Sequence, residues 1–354
     1  MNELASWENL YSAYRRAAKG KRGRPAVAAF AHRVEANLLR LQAELLTQTY
    51  QPGAYTSFYI HEPKRRLISA APFRDRVVHH ALCQQIEPAF ERAFIHDSYA
   101  NRVGKGTHRA LDRAQQFARR YRYVLACDIQ QFFPSIDHAL LRDALWRKVD
   151  NSAHRWLINQ ILASGAGVLA KAYTMQYFRG DDLFAVERPR GLPIGNLTSQ
   201  FWANVYLNRF DHFVKRTLRC KGYIRYVDDF LLFGDHKTQL RAWHTALVKR
   251  LHTLRLTCHR PAVIRPAEEG LPFLGFLITP ERRRLKKRKG LHYQRKLSRL
   301  AHACRAGEVP RDQLRASVQG WCNYARYGNT SGLRKAIFNH ALKSTLPRGS
   351  NGKA

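Results

Sequence analysis

Two adjacent aspartates, Asp228 and Asp229, interrupt the apolar segment 223–233, YIRYVDDFLLF. A chain accommodates two carboxylates there when they stand at a turn whose flanks are buried strands. The segment therefore predicts strand, tight turn, strand, with both acids at the tip. Adjacent acids held this way are costly unless a cation lies between them. A lone Asp-Asp pair is ordinarily a solvated turn, but Tyr226-Val227 before and Phe230-Leu231-Leu232 after are too apolar for that. A second apolar strand, YVLACDI at 123–129, carries a third acid, Asp128. Three carboxylates converging from two strands suit a pair of Mg²⁺ ions, with Mn²⁺ as a substitute, because hard cations take oxygen ligands. Two such ions about 3.5–4 Å apart stabilise both oxygens of an in-line phosphoryl transfer.

The charge balance points to a partner. Lys plus Arg total 61 against 26 Asp plus Glu, a net charge of +35. Such an excess repels itself in a folded chain and calls for a polyanion, of which nucleic acid is the natural candidate. A generally basic surface is the plain alternative. At 45% hydrophobic residues the chain is not of the disordered class. No run of about 18 apolar residues predicts a membrane span. The start, Met1-Asn2-Glu3-Leu4, is not a secretory signal. Six cysteines, at 83, 127, 220, 258, 304 and 322, form no CxxC pair, which argues against a zinc ribbon or a disulfide framework. Unpaired thiols fit a reducing, cytoplasmic setting. His79-His80-x-x-Cys83 reads as a helix that carries these residues by chance.

Along the chain, 11–24 is basic, and Val34, Leu38, Leu41 and Leu45 mark one face of a helix that ends by Gln51-Pro52-Gly53. Residues 54–70 look extended around Lys64-Arg65-Arg66, and Pro72 opens a helix carrying Arg74. Phe132-Phe133-Pro134-Ser135 follows the first acidic strand, and Ser135 or Asp137 is the expected N-cap of the next helix. Residues 165–190 are read as a hairpin or insertion. The turn-rich loop 190–196 feeds a helix over 198–218, a second helix spans 238–254, and Phe273 to Ile278 reads as a strand. A basic run from Arg282 opens a stretch expected to be helical to about Lys343.

These motifs together resemble the reverse transcriptases. Tyr226-Val227-Asp228-Asp229 looks like the family's YxDD box, and Asp128 with Phe132-Phe133 like its first catalytic strand. Gly191-Leu192-Pro193-Ile194-Gly195-Asn196-Leu197-Thr198-Ser199-Gln200 is similar to the loop and helix that back the incoming base. Phe273-Leu274-Gly275-Phe276 resembles the strand leading to the thumb. The motifs keep the family's order over roughly 55–280. The resemblance implies an α+β right-hand polymerase with fingers, an RRM-like palm sheet and a helical thumb. The implied divisions are a basic helical extension (1–50), fingers (51–122), palm (123–280, with an insertion at about 138–190), thumb (281–345) and tail (346–354).

It also implies roles. Asp128, Asp228 and Asp229 would be catalytic and hold the metals. Phe133, five residues after Asp128, would be a steric gate favouring dNTPs. Lys64, Arg65, Arg66 and Arg74 would contact the triphosphate, as guanidinium forks do. Ile194, Gly195, Ser199 and Gln200 would check the base pair. Tyr226, Val227, Arg283, Lys287 and Arg288 would meet the template–primer. A lysine common in the family before the Phe-Leu-Gly motif is absent from 256–270, where His259, Arg260 or Arg265 could serve.

Within the family, Ile194 where many members have glutamine, with Ser199-Gln200, resembles the enzymes of diversity-generating retroelements. So do residues 66–76, 98–108 and 317–321. That resemblance implies a template-repeat RNA copied into cDNA, errors opposite adenine, mutagenic retrohoming in a bacterium or phage, and a small accessory protein, with no membrane. The alternatives are another reverse transcriptase lineage, defence-associated or group II intron-like, and a non-catalytic RNA-binding palm. The sequence length speaks against an intron protein, and Phe133 against an RNA-dependent RNA polymerase.

Overall fold

The computed structural model describes residues 2–61, 65–259 and 262–343. Lys64, Arg260 and the tail 346–354 lie outside them. Three helices open the chain: α1 (Trp7–Ala18), α2 (Pro25–His32) and α3 (Val34–Leu46). The Ser6 hydroxyl accepts the Asn9 N–H at 3.2 Å and caps α1. In α3 the buried Leu38, Leu41 and Leu45 form the face read from the sequence. A two-stranded antiparallel ribbon follows, β1 (Thr56–Ile60) with β2 (Arg66–Ala70). Next come α4 (Phe73–Glu91) and α5 (Thr107–Arg120). Asn9 joins α1 to α4 by donating from Nδ2 to the Ala81 carbonyl at 3.2 Å.

The central sheet draws on distant segments. β3 (Tyr123–Asp128) is followed by α6 (Phe132–Ser135), α7 (His138–Trp146), α8 (Ser152–Gly165) and α9 (Leu197–His212). Then come β4 (Gly222–Tyr226), β5 (Asp229–Gly234), α10 (Lys237–His252) and β6 (Val263–Pro266). The strands lie in the order β4-β5-β3-β6, antiparallel throughout. Side chains alternate across the sheet. Leu125, Cys127, Phe230 and Leu232 join a core with Phe210 of α9 and Leu240, Leu247 and Leu251 of α10. Val124, Leu231 and Phe233 join a second core with Leu111 and Phe117 of α5. Full burial of such a side chain stabilises by about 1.5–3 kcal/mol.

A second small sheet, β7 (Leu271–Phe273), β8 (Phe276–Ile278) and β9 (Arg283–Leu285), leads into α11 (Lys287–Arg305), α12 (Arg311–Ala325) and α13 (Ser331–Lys343). Trp321 is core, stacked on Tyr293 with ring centroids 4.3 Å apart.

The structure departs from the sequence expectations in four places. The strand expected over 273–278 is a hairpin, because Leu274 and Gly275 take φ of 46° and 91° and reverse the chain. A Cβ at Gly275 would meet the Tyr324 hydroxyl at 2.1 Å. The stretch after Arg282 opens with β9 before any helix. Residues 165–190 form no hairpin: two single 3₁₀ turns stand there. Backbone bonds there stay local, such as Tyr173 N–H to the Ala170 carbonyl, and Arg190 donates to the carbonyls of Ala185 and Val186 at 2.6 and 2.8 Å. The helix expected to Leu218 is α-helical only to His212 and ends in a π turn over Phe213–Thr217. Of the two proposed caps, Asp137 caps α7, accepting from Ala139 and Leu140; Ser135 lies inside α6.

His79 is buried in α4, and burial pushes its pKa down to about 3 from 6.5. The folded state keeps this imidazole neutral while the unfolded chain protonates it. Its contribution is intact above pH 6.5 and is lost progressively as the pH falls toward 3. Over that window His79→Leu should flatten the fall of unfolding free energy with acidity by about 1.4 kcal/mol per pH unit. Urea titrations at several pH values measure this slope. Identical slopes would assign the acid sensitivity elsewhere.

Candidate active site

The acidic turn is tighter than the sequence implied. Tyr226 pairs directly with Asp229, so only Val227 and Asp228 form the turn, and Asp229 already belongs to β5. Val227 has φ 58°. A positive φ at the first central position is the sign pattern of a type II′ turn, which normally demands glycine. A β-branched residue there costs on the order of 1–3 kcal/mol and persists only when its surroundings over-determine it.

Those surroundings centre on Arg225, fully buried in β4. Its Nη1 donates to the Val227 carbonyl at 3.1 Å and to Asn204 Oδ1 at 3.0 Å. Nε and Nη2 grip both oxygens of buried Asp211 at 2.8 and 2.7 Å, and Nη2 also reaches Ser98 Oγ at 3.3 Å. The Tyr223 hydroxyl donates to Asp211 at 2.7 Å. Asn204 in turn donates to the Ala100 carbonyl at 2.9 Å. The turn is thus tied to α9 and to the segment before α5. Arg225, Asp211 and Asn204 were not singled out from sequence, although a lone arginine inside an apolar strand signals a buried acidic partner.

The three carboxylates converge at one end of the sheet. Asp128 pairs with Asp229 across β3 and β5, and the Ile129 N–H donates to the Asp228 carbonyl at 3.3 Å. Burial raises the pKa of Asp228, the negative charge of Asp128 raises it further, and Arg66 opposes the shift. A buried carboxylate beside a second one, on a sheet end that offers three hard oxygen donors, fits divalent cations such as Mg²⁺. The His259 N–H donates to the Asp128 carbonyl at 2.7 Å, so of the two described residues weighed in place of the missing lysine, this one adjoins the Asp128 backbone. Arg265 lies back along β6, opposite Val124.

Phe133 follows a left-handed Gln131 (φ 47°) into α6. Phe132 takes the core position, and Phe133 stays half-buried with its ring 5.4 Å from that of Phe132. The Phe133 carbonyl accepts from Leu192 at 3.0 Å, which joins it to the glycine loop. That loop is pinned to β2. The Ile194 carbonyl accepts from Ser69 at 2.9 Å. Asn196 donates to the Ser69 and Pro193 carbonyls at 2.9 and 3.0 Å and accepts from Ala71 at 3.1 Å. Gly195 has φ 117°, and a Cβ on it would press Ile68 at 3.0 Å. Ser199 is buried and Gln200 half-buried in the first turn of α9.

The basic residues divide. Arg66 begins β2 and acts electrostatically on Asp228, whereas Arg65 lies over the Tyr59 ring at 4.0 Å. Arg74 is engaged away from the carboxylates, paired with Glu44 of α3 and stacked over Tyr50 at 5.1 Å. Arg283 is occupied as well, bonded to Asp112 at 2.7 Å and Gln115 at 2.8 Å on α5. Lys287 and Arg288 are exposed at the start of α11. The Tyr226 hydroxyl meets Thr107 Oγ1 at 2.9 Å.

Residues 60–263, more than half of the chain, match the reverse transcriptase (RNA-dependent DNA polymerase) family. The chain belongs to that family. The match includes the three carboxylates, Phe133 and the 191–200 loop, and ends before β9. Among characterised proteins, YkfC of Escherichia coli K12 is 27% identical over 189 residues, covering 51% of this chain and 46% of that protein. The group II intron-encoded protein LtrA of Lactococcus lactis subsp. cremoris is 25% identical over 183 residues, covering 51% and 28%. The mitochondrial nuclear intron maturase 2 of Arabidopsis thaliana is 26% identical over 149 residues, covering 36% and 20%. The matched stretch spans less than half the length of each of these relatives. Among the described residues, no helix is long and apolar enough to cross a membrane.

Breaking the Arg225–Asp211 pair from one side leaves a buried charge without its partner. Arg225→Met or Asp211→Leu alone should cost about 3–5 kcal/mol, and the double variant clearly less than the sum. Chemical denaturation of all four proteins gives the coupling energy. Strict additivity would show that the two residues do not act as a unit.

Proposed function

We propose that the chain is an RNA-directed DNA polymerase built as a right hand, with fingers over 51–122, palm over 123–280 and thumb over 281–345. The observation that carries this reading is the direct pairing of Asp128 with Asp229 beside the strained Asp228 turn. Asp128, Asp228 and Asp229 would hold two Mg²⁺ ions, with Mn²⁺ able to replace them. Bound there, the ions supply charge stabilisation to the attacking and leaving oxygens of nucleotide transfer.

The chain's own side chains do the rest. Phe133, half-buried after the first acid, would close over the sugar and crowd out a 2′-hydroxyl, so that dNTPs are selected. Arg66 would clasp triphosphate oxygens through its guanidinium fork, with Arg65, and Arg74 once released from Glu44, as further contacts. Ile194 and Gly195, clamped to β2 by Asn196, would back the nascent base pair, with Ser199 and Gln200 behind them. Tyr226 and Val227 would support the primer end, and His259, next to the Asp128 backbone, would be the candidate to protonate a departing pyrophosphate. Lys287 and Arg288 would grip template RNA and cDNA through phosphates, a contact that weakens with salt.

The finer reading is that of a diversity-generating retroelement enzyme, copying a template-repeat RNA with errors opposite adenine and working with a small accessory protein. The aliphatic Ile194 supports it, since it offers no polar contact to test the geometry of the pair. The similarity to LtrA and to the intron maturase favours a group II intron-like lineage instead.

Primer extension on an RNA template with dNTPs and Mg²⁺ tests both levels. Asp228→Asn should reduce extension roughly 10³-fold or more, equivalent to about 4 kcal/mol of barrier. Phe133→Ala should relax discrimination against NTPs by up to about 10²-fold. Extension by Asp228→Asn equal to wild type would overturn the polymerase reading. Sequencing the cDNA of Ile194→Gln should show fewer errors at template adenines, and an unchanged spectrum would remove the mutagenic reading alone.

A further inference from the structure

On the opposite face of β3 from Asp128, three softer donors converge. Cys127 lies one residue before that acid and pairs with Phe230, so strand alternation turns it toward α10. Cys258 arrives on the segment after α10 and bridges Ile129. His244 comes from the middle of α10. The two sulfurs and an imidazole nitrogen lie within 4.8 Å of one another, both cysteines buried and the histidine half-buried. The two thiols share a hydrogen bond. Cys258 also borders a cavity of about 460 Å³ whose lining includes Gln130, His252, Thr257 and His259.

We propose that Cys127, His244 and Cys258 form a soft-metal site that takes Zn²⁺, separate from the carboxylate site. Two thiolates and a neutral imidazole are a zinc donor set, and they neutralise the ion without a buried net charge. Tetrahedral Zn–S and Zn–N bonds of about 2.3 and 2.1 Å place ligands just under 4 Å apart, so closure of about 1 Å at most completes the triad. As the ion binds, the two thiol protons pass to solvent. A water would take the fourth position. The site would clamp α10 and the 258 segment to the end of β3 and so position Asp128. The ligands come from three elements and are separated by 117 and 14 residues in the chain, which is why no spacing motif announces them.

The probe is Co²⁺, titrated into the full chain after reduction and removal of metal. One equivalent should produce a thiolate-to-cobalt charge-transfer band and the intense visible bands of a tetrahedral ion, and Zn²⁺ should displace it. Cys258→Ser and His244→Ala should each abolish these bands while keeping the wild-type far-UV spectrum. Asp228→Asn and Cys322→Ser should keep the bands. Zn²⁺ should raise the thermal midpoint of wild type and leave that of Cys258→Ser unmoved. No charge-transfer band in the reduced wild type would overturn the proposal. So would a band that disappears in Asp228→Asn or survives in Cys258→Ser.

Discussion

The buried pair of Arg225 and Asp211 is the constraint on which the acidic turn depends. An arginine inside a β-strand is expensive to desolvate, and only a carboxylate with further acceptors can offset that cost. Here the guanidinium is fully engaged: Asp211 takes one edge, Asn204 and the Val227 carbonyl take Nη1, and Ser98 completes Nη2. The energy of the network goes partly into shape. It holds Val227 in a conformation its own side chain disfavours, and that conformation presents Asp228 between two strands rather than along one. Strain at the turn and charge in the core are two sides of one arrangement.

The same economy of placement recurs on the other side of the carboxylates. Asn196 spreads its amide over the Ser69 carbonyl of β2, the Ala71 N–H just beyond it and the Pro193 carbonyl of its own loop, so Ile194 and Gly195 stand at a defined distance from Arg66's strand. The carbonyl of Phe133 bonds to the same loop. The carboxylate end of the sheet, the aromatic after it, the glycine loop and the basic ribbon therefore form one mechanically connected set. The hydrogen bonds that connect them are mostly backbone ones, or side chain to backbone, which depend on fold more than on residue identity.

Much of the fold was legible because periodicity and apolar runs report burial directly. The strand at 123–128, the α3 face at Leu38, Leu41 and Leu45, and the strand–turn–strand around Asp228 all appear where the pattern put them. The misreadings have a common cause. Leu274-Gly275 reads as the middle of a strand because composition does not show φ, and the turn there is bordered by the Tyr324 hydroxyl, which donates to the Leu274 carbonyl at 3.0 Å. Residues 165–190 read as a hairpin or an insertion, and of the two the hairpin is absent: the segment holds two short 3₁₀ turns, with Arg190 on the Ala185 and Val186 carbonyls.

What the sequence determined by itself is the chemistry available: three aspartates of hard oxygen in apolar strands, an aromatic after the first, and a large positive charge seeking a polyanion. These are local or additive properties, and a linear string carries them. Tertiary structure alone decided the pairings. It set Asp128 against Asp229, sent Arg74 to Glu44 and Arg283 to Asp112 while Arg66 was left to act on Asp228, and gathered Cys127, His244 and Cys258 beneath the sheet. Each of these joins residues far apart in the chain, and the partner of a side chain is fixed by how helices and strands pack, which no spacing within one segment encodes.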